Sequence, residues 1–267
     1  MKTTEQDSHY SDLELMSARQ ILEGINNEDR ILAEAVAKAI PAIESLVEGI
    51  VSRGGRIFYT GAGTSGRLGV VDASEIPPTY GVHDKFIGII AGGDKALRTA
   101  VEGAEDSPEM GIADLMSFNP TPDDTLVGIS ASGTAPYVVA AVEKARGIGM
   151  LTGCICCNED SPLARACEIP MVAVVGPEFV TGSTRMKAGS ATKLILNMIS
   201  TSVMILTGHV QGNKMVDMQL TNKKLVDRGA RMIMEKTGIA DYELAKSLLL
   251  QYGNVREAVQ AYKMQSV

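Results

Sequence analysis

Three glycines and two hydroxyls crowd into residues 61–66, Gly-Ala-Gly-Thr-Ser-Gly. They follow directly on the apolar run Arg56-Ile57-Phe58-Tyr59, and Glu75 comes one short helix later. Gly61, Gly63 and Gly66 have the G-x-G-x-x-G spacing of a dinucleotide-binding turn. Such a strand–loop–helix turns free N–H groups and the positive end of a helix dipole toward an anion. Thr64 and Ser65 add hydroxyl donors, which suit a phosphate or a sugar. A dinucleotide site also needs an acidic residue at the end of the second strand. Here that strand, Phe86–Ala91, ends in Gly92-Gly93, with Asp94 only at the start of the next helix, and no G-x-x-x-x-G-K-[ST] loop exists. The chemistry indicated is phosphate binding beside a carboxylate that can move protons.

Two more loops carry the same chemistry. Ser130-Ala-Ser-Gly-Thr134 precedes Pro136 at a first helical turn, and Thr181-Gly-Ser-Thr-Arg-Met-Lys-Ala-Gly189 opens a long helix. Capping a helix needs one hydroxyl, not a cluster, so three hydroxyl-rich loops point to a phosphosugar. Arg185 and Lys187 read either as cationic help for it or as surface charges. The candidate acid–base groups are Glu75, before Pro77-Pro78, and Glu102, Glu105 and Asp106 in Val-Glu-Gly-Ala-Glu-Asp. Two carboxylates at one sheet edge can act as acid and base across a substrate. Spacing does not choose between Glu102 and Glu105, which lie about one helical turn apart. His9, His83 and His209 form no cluster, and Cys154, Cys156, Cys157 and Cys167 lack zinc spacing. The thiols read as inert, buried strand residues of a reducing compartment, and no metal site is expected.

These groups need a scaffold, and the pattern supplies one. Residues 12–52 show helical periodicity, as in Leu32, Ala35, Val36, Ala39 and Ile43. Short apolar runs then alternate with helical stretches. The runs are 56–60, 86–91, 125–129, 150–156 and 171–175, and the helices fall near 66–74, 94–103, 136–147, 162–167 and 185–207. Strand–helix alternation with apolar strands predicts an α/β fold with a five-stranded parallel sheet buried on both faces. Ligands of such sheets gather at the carboxyl ends of the strands, where the three loops lie. Helices near 219–236, 241–251 and 254–264 follow, separated by Gly238 and Gly253. The expected division is an N-terminal helical segment (1–46), an α/β domain (47–210) and a C-terminal helical module (211–267).

Composition narrows the function. The chain has 267 residues, 45% of them hydrophobic, and a formal charge of −7. An acidic chain is poorly suited to a nucleic-acid backbone. No apolar run of spanning length and no signal-peptide layout are read, so the expectation is a cytoplasmic protein with no membrane partner.

The segments Gly61-Ala-Gly-Thr-Ser-Gly-Arg-Leu-Gly69, Asp72-Ala-Ser-Glu75, Pro77-Pro-Thr79, Val101-Glu-Gly-Ala-Glu-Asp106 and Gly182-Ser-Thr-Arg-Met-Lys-Ala-Gly189 closely resemble those of the N-acetylmuramic acid 6-phosphate etherases. Ile25-Asn-Asn-Glu-Asp29 and Leu194-Ile-Leu-Asn-Met-Ile-Ser-Thr201 also resemble family segments. The resemblance runs over about residues 13–236. It implies a sugar isomerase (SIS) domain, a three-layer sandwich, and cleavage of the D-lactyl ether of N-acetylmuramic acid 6-phosphate by elimination and rehydration. The products would be N-acetylglucosamine 6-phosphate and D-lactate, in peptidoglycan recycling. It further implies Glu75 as the acid on the departing lactate oxygen and Glu105 as the base at the C2 proton or the incoming water. Glu102 would hold sugar hydroxyls, and Ser130, Ser132 and Thr134 the 6-phosphate. Thr64, Ser65, Ser183 and Thr184 would line the sugar. No cofactor is needed because elimination plus hydration is redox-neutral, and a homodimer is expected. The tail ends at Val267, short of the longer family members. Alternatives on the same fold are an aldose–ketose phosphosugar isomerase and a sugar-phosphate-sensing regulator.

Overall fold

The computed structural model describes residues 3–265. Elements run in the order α1 (Ala18–Asp29), α2 (Leu32–Ala37), α3 (Ile40–Arg53), β1 (Ile57–Gly61), α4 (Gly63–Ser74), α5 (Ile76–Tyr80) and β2 (Phe86–Ile90). Next come α6 (Pro108–Met116), β3 (Thr125–Ile129), α7 (Pro136–Ile148), β4 (Leu151–Cys156), α8 (Pro162–Ala166), β5 (Ile169–Val172) and α9 (Lys187–Leu206). The hairpin β6 (Val210–Gln211) and β7 (Lys214–Met215) leads to α10 (Lys223–Thr237), α11 (Tyr242–Tyr252) and α12 (Val255–Gln265). Two compact units result. One is the chain up to Ser74 with Lys85–Thr201, and the other is Glu75–Asp84 with the chain from Ser202 onward.

The first unit holds a five-stranded sheet in the order β2-β1-β3-β4-β5, parallel throughout. Alternation across the strands sorts the two layers of helices. On one face Phe58, Leu126 and Cys154 pack with Tyr137, Val138, Ala141 and Leu163 of α7 and α8. The opposite face carries one row of paired residues, Gly88, Tyr59, Val127 and Gly153. The glycines in that row admit helices closely. A Cβ on Gly88 would stand 2.5 Å from Val70 Cα of α4, and one on Gly153 would stand 3.1 Å from a Leu46 methyl of α3. The expected five-stranded three-layer α/β core is therefore present.

Several boundaries differ from the expectation. The first helical stretch is three helices, with Leu13–Leu15 a separate 3₁₀ turn. The fifth strand runs 169–172 rather than 171–175. The expected helix at 94–103 is only a 3₁₀ turn, Asp94–Leu97, after which irregular chain leads to Gly103, at φ of 71°, and a second 3₁₀ turn. Two helices are additional. In α6, Ser107 caps Met110 N at 3.2 Å, and α5 is a single turn between Pro77 and the left-handed Gly81.

The second unit has its own core of Val216, Met218, Met232, Ile233, Leu248, Leu249, Val255 and Ala258. Gly238 and Gly253 end α10 and α11 with φ of 79° and 82°, where a side chain would be strained. Asp217 anchors α12 through paired bonds from Arg256 at 2.7 and 2.6 Å, and it also contacts His209 at 3.0 Å.

At the end of the sheet where β1 and β3 begin, Asp124 is buried. It accepts Arg56 N at 2.8 Å, Arg56 Nη2 at 2.7 Å and Thr121 N at 2.9 Å. Burial alone would raise its pKa, but the Arg56 and Thr121 bonds prevail and hold it below the usual carboxylate value. Its stabilisation is therefore full above about pH 4 and is lost only as pH falls through the depressed pKa. Asp124→Asn is expected to cost about 2 kcal/mol at pH 7, below the full cost of a buried pair because Arg56 reaches solvent. Thermal melts should show the gap to the parent chain narrowing below about pH 4.

Candidate active site

The carboxyl end of β1 passes into α4 through a very tight turn. A Cβ on Gly61 would lie 2.7 Å from Gly66 N, and one on Gly66 would lie 2.5 Å from Gly61 O. Gly63 opens the helix with φ of 54°. The helix thus begins at Gly63, three residues earlier than its apolar pattern indicates. Thr64 and Ser65 accordingly sit in the first helical turn, where backbone N–H groups lack intrahelical acceptors.

After β3, Ser130 is buried and its N–H bonds Ile155 O at 3.1 Å, extending the sheet by one residue. Gly133, at φ of 69°, returns its N–H to Ser130 O and Oγ at 2.9 and 3.2 Å. The three hydroxyls of this loop form a string, Ser130 Oγ to Ser132 Oγ at 3.4 Å and Ser132 Oγ to Thr134 Oγ1 at 2.8 Å. Groups that bond one another in this way can rotate outward to an anion without leaving a buried donor unpaired.

The third loop is arranged differently from the first. The start of α9 is already capped from within, since Glu178 accepts Lys187 N at 2.8 Å and Ala188 N at 3.0 Å. Burial pushes the Glu178 carboxyl up in pKa, against the pull of those two amides. What this loop turns to the cavity is Gly182, at φ of 74°, and Thr184. Lys187 is buried and pairs with Glu28 of α1, so it gives no cationic help, while Arg185 is exposed.

These loops enclose a polar cavity of 260 Å³. Its walls include Thr64, Ser65, Ser130, Ser132, Thr184 and Glu105, together with Glu5. Among the described residues no lysine or arginine lines it. An anion here is met by hydroxyls and backbone amides instead. Glu105 lies on the 3₁₀ turn Ala104–Asp106, which Gly103 enters at φ of 71° and which buried Ala104 pins to the core. Glu102 and Glu105 are both exposed, but only Glu105 is among the cavity walls, so the tertiary structure separates two carboxylates that spacing left equivalent. Thr134 reaches the cavity only through Ser132, and Ser183 is not among its walls. Glu75 belongs to the second unit, exposed at the position preceding α5. Glu5 is the residue that sequence reasoning missed. It stands in a polar N-terminal stretch with no motif, and only long-range contacts bring it here.

All four cysteines are free and buried. Among the described residues no three His, Cys, Asp or Glu side chains are grouped to hold a metal.

The SIS domain family matches residues 108–207, and the glucokinase regulatory protein N-terminal SIS domain matches residues 37–146. Among solved structures, a protein of Escherichia coli CFT073 is similar in fold, with a TM-score of 0.55 and 15% identity, over 74% of this chain and 97% of that one. The Vibrio vulnificus NanR protein complexed with ManNAc-6P gives a TM-score of 0.51 at 16% identity, over 71% of this chain and 64% of that one. Sequence relatives are much nearer. A Porphyromonas gingivalis W83 protein named N-acetylmuramic acid 6-phosphate etherase is 59% identical over 98% of this chain and 97% of its own length. One of the same name from Bacteroides fragilis is 59% identical over 98% and 95%. Another, from Aeromonas hydrophila, is 51% identical over 88% and 82%. With these relatives spanning nearly the whole chain and a SIS sheet carrying the hydroxyl-rich loops, the chain belongs to the N-acetylmuramic acid 6-phosphate etherase family of SIS-domain proteins.

Proposed function

We propose that the protein cleaves the D-lactyl ether of N-acetylmuramic acid 6-phosphate, giving N-acetylglucosamine 6-phosphate and D-lactate. The observation that carries this reading is a carboxylate, Glu105, on the wall of a cavity built mostly from hydroxyl-bearing loops, in a chain 59% identical to named etherases. In the open-chain sugar the C2 proton is acidified by the neighbouring C1 aldehyde, and Glu105 removes it as general base. The C3 substituent leaves as lactate only if its oxygen is protonated, because an alkoxide is a poor leaving group. Glu75 supplies that proton. Water then adds at C3 of the unsaturated aldehyde and restores the hydroxyl. Ser130 and Ser132, supported by Thr134, hold the 6-phosphate. Thr64, Ser65 and Thr184 surround the sugar; Ser183 and Glu102, which the family resemblance also assigns to it, stand outside the cavity walls.

We also assign a homodimer and a cytoplasmic location. Large apolar side chains stand exposed at Leu15, Leu22, Leu194 and Met198, the last two one turn apart on α9, and a second copy would cover them. The free thiols suit a reducing compartment. Helix α9 is long and apolar enough to cross a membrane, but half of that window is buried within the protein, as in a core helix.

A coupled assay for D-lactate with identification of the sugar product tests the activity. Glu75→Ala is expected to abolish lactate release while leaving sugar-phosphate binding within about threefold, and Glu105→Gln should lower kcat by about 10²–10⁴. Appearance of a ketose phosphate without lactate would replace the etherase by an isomerase. Tight binding with no turnover would make the protein a sensor. For the dimer, light scattering should give twice the chain mass, and Met198→Glu should shift it toward the monomer. A monomeric parent chain would refute that assignment.

A further inference from the structure

The segment from Thr3 to Tyr10 bonds to Cys157 and Asn158, just beyond β4, and to Phe179 and Thr181, and so is fastened to two of the three binding loops. Thr3 Oγ1 donates to Asn158 Oδ1 at 2.8 Å, and Asn158 Nδ2 donates to Thr4 Oγ1 at 2.9 Å. The same amide donates to Ser132 O at 3.2 Å, so one buried asparagine joins the segment to the serine loop. Further along, Ser8 Oγ donates to Phe179 O at 2.7 Å, and Ser8 N donates to Thr181 Oγ1 at 2.9 Å. The rings of Tyr10 and Phe179 lie 4.7 Å apart. Thr4, 1% exposed, is sealed beneath this arrangement, while its neighbour Glu5 forms part of the cavity wall.

Glu5 is exposed at the cavity wall and has no strong protein partner. Thr4 Oγ1 approaches at 3.4 Å, and among the described residues no lysine or arginine pairs with it. A carboxylate placed there repels a phosphate dianion but accepts strongly from neutral hydroxyls, because bonds to an ionised acceptor are about twice as strong as neutral ones. At its own position such a group therefore disfavours a bare phosphate dianion and favours a hydroxyl.

We propose that Glu5 is a specificity-determining residue of this cavity, accepting hydrogen bonds from the hydroxyls of the sugar chain and so favouring sugar phosphates over bare anions. This rests on the phosphosugar reading of the site. The binding loops are held by Thr3, Thr4, Ser8 and Asn158, not by the Glu5 side chain, so replacing it leaves the fastening in place.

Titration calorimetry with N-acetylglucosamine 6-phosphate and, separately, with inorganic phosphate tests the proposal on the full chain. Glu5→Ala should weaken the sugar phosphate by about tenfold or more, while inorganic phosphate binds unchanged or more tightly. Glu5→Gln, which keeps an acceptor oxygen but no charge, should recover part of the loss. In turnover, KM should rise with kcat nearly constant. Equal weakening of both ligands would make Glu5 merely structural, and no change in either would remove it from the site. A fall in kcat at constant KM would place it in the chemistry instead. Each of these overturns the proposal. If the unsubstituted chain binds inorganic phosphate but not the sugar phosphate, the phosphosugar reading itself fails and this inference fails with it.

Discussion

The site depends on one close approach, that of the end of β1 to the first turn of α4. The Gly61 and Gly66 backbones meet at distances that no Cβ could tolerate. Further along the same helix, a Cβ on Gly69 would lie 3.0 Å from Tyr59 Cβ. Because α4 is drawn onto the sheet at this point, its first-turn amides and the Thr64 and Ser65 hydroxyls open at the carboxyl edge, level with the serine loop after β3. A larger residue at 61 or 66 would push the helix start outward and separate the two loops. The glycine fingerprint thus describes a backbone requirement and carries no information about the ligand.

The second organising feature is how an acidic chain holds an anion. Among the described residues the cavity walls offer hydroxyls and amides but no cation, and the nearby lysine of the third loop is consumed by Glu28. Glu178 occupies the start of α9 in the way an anionic ligand would, which removes that helix end from the binding surface. Binding by neutral donors has a consequence for selectivity. Without a strong point charge to attract any dianion, selectivity rests on how the hydroxyl and amide donors of the wall are placed.

Much of this was legible in the chain. Apolar runs alternating with helical stretches gave five parallel strands, because buried strands and amphipathic helices leave local periodicities. Gly238 and Gly253 marked helix ends through a conformational need that belongs to each glycine alone. The helix expected at 94–103 is reduced to one 3₁₀ turn, and Gly103, at φ of 71°, closes the span by opening a separate turn, which apolar spacing alone does not reveal. Helix α6 escaped notice because its boundary is set by a single Ser107 cap and by packing on α7. A Cβ on Gly111 would meet Tyr137 O at 2.1 Å, a constraint between residues far apart in sequence.

The amino-acid sequence by itself determined the fold class, the three hydroxyl-rich loops and the family, since each is written in contiguous residues whose propensities and spacing act locally. Only the tertiary structure decided which groups share the cavity. It put Glu105 on the wall and Glu102 outside it, although the two are three residues apart, with the left-handed Gly103 between them. It spent Lys187 on a buried ion pair. It also brought Glu5 onto the cavity wall, because Asn158, 154 residues from Thr4 in the chain, ties the N-terminal segment to the loop after β3. Side-chain direction and long-range pairing are properties of the packed whole, and no local pattern encodes them.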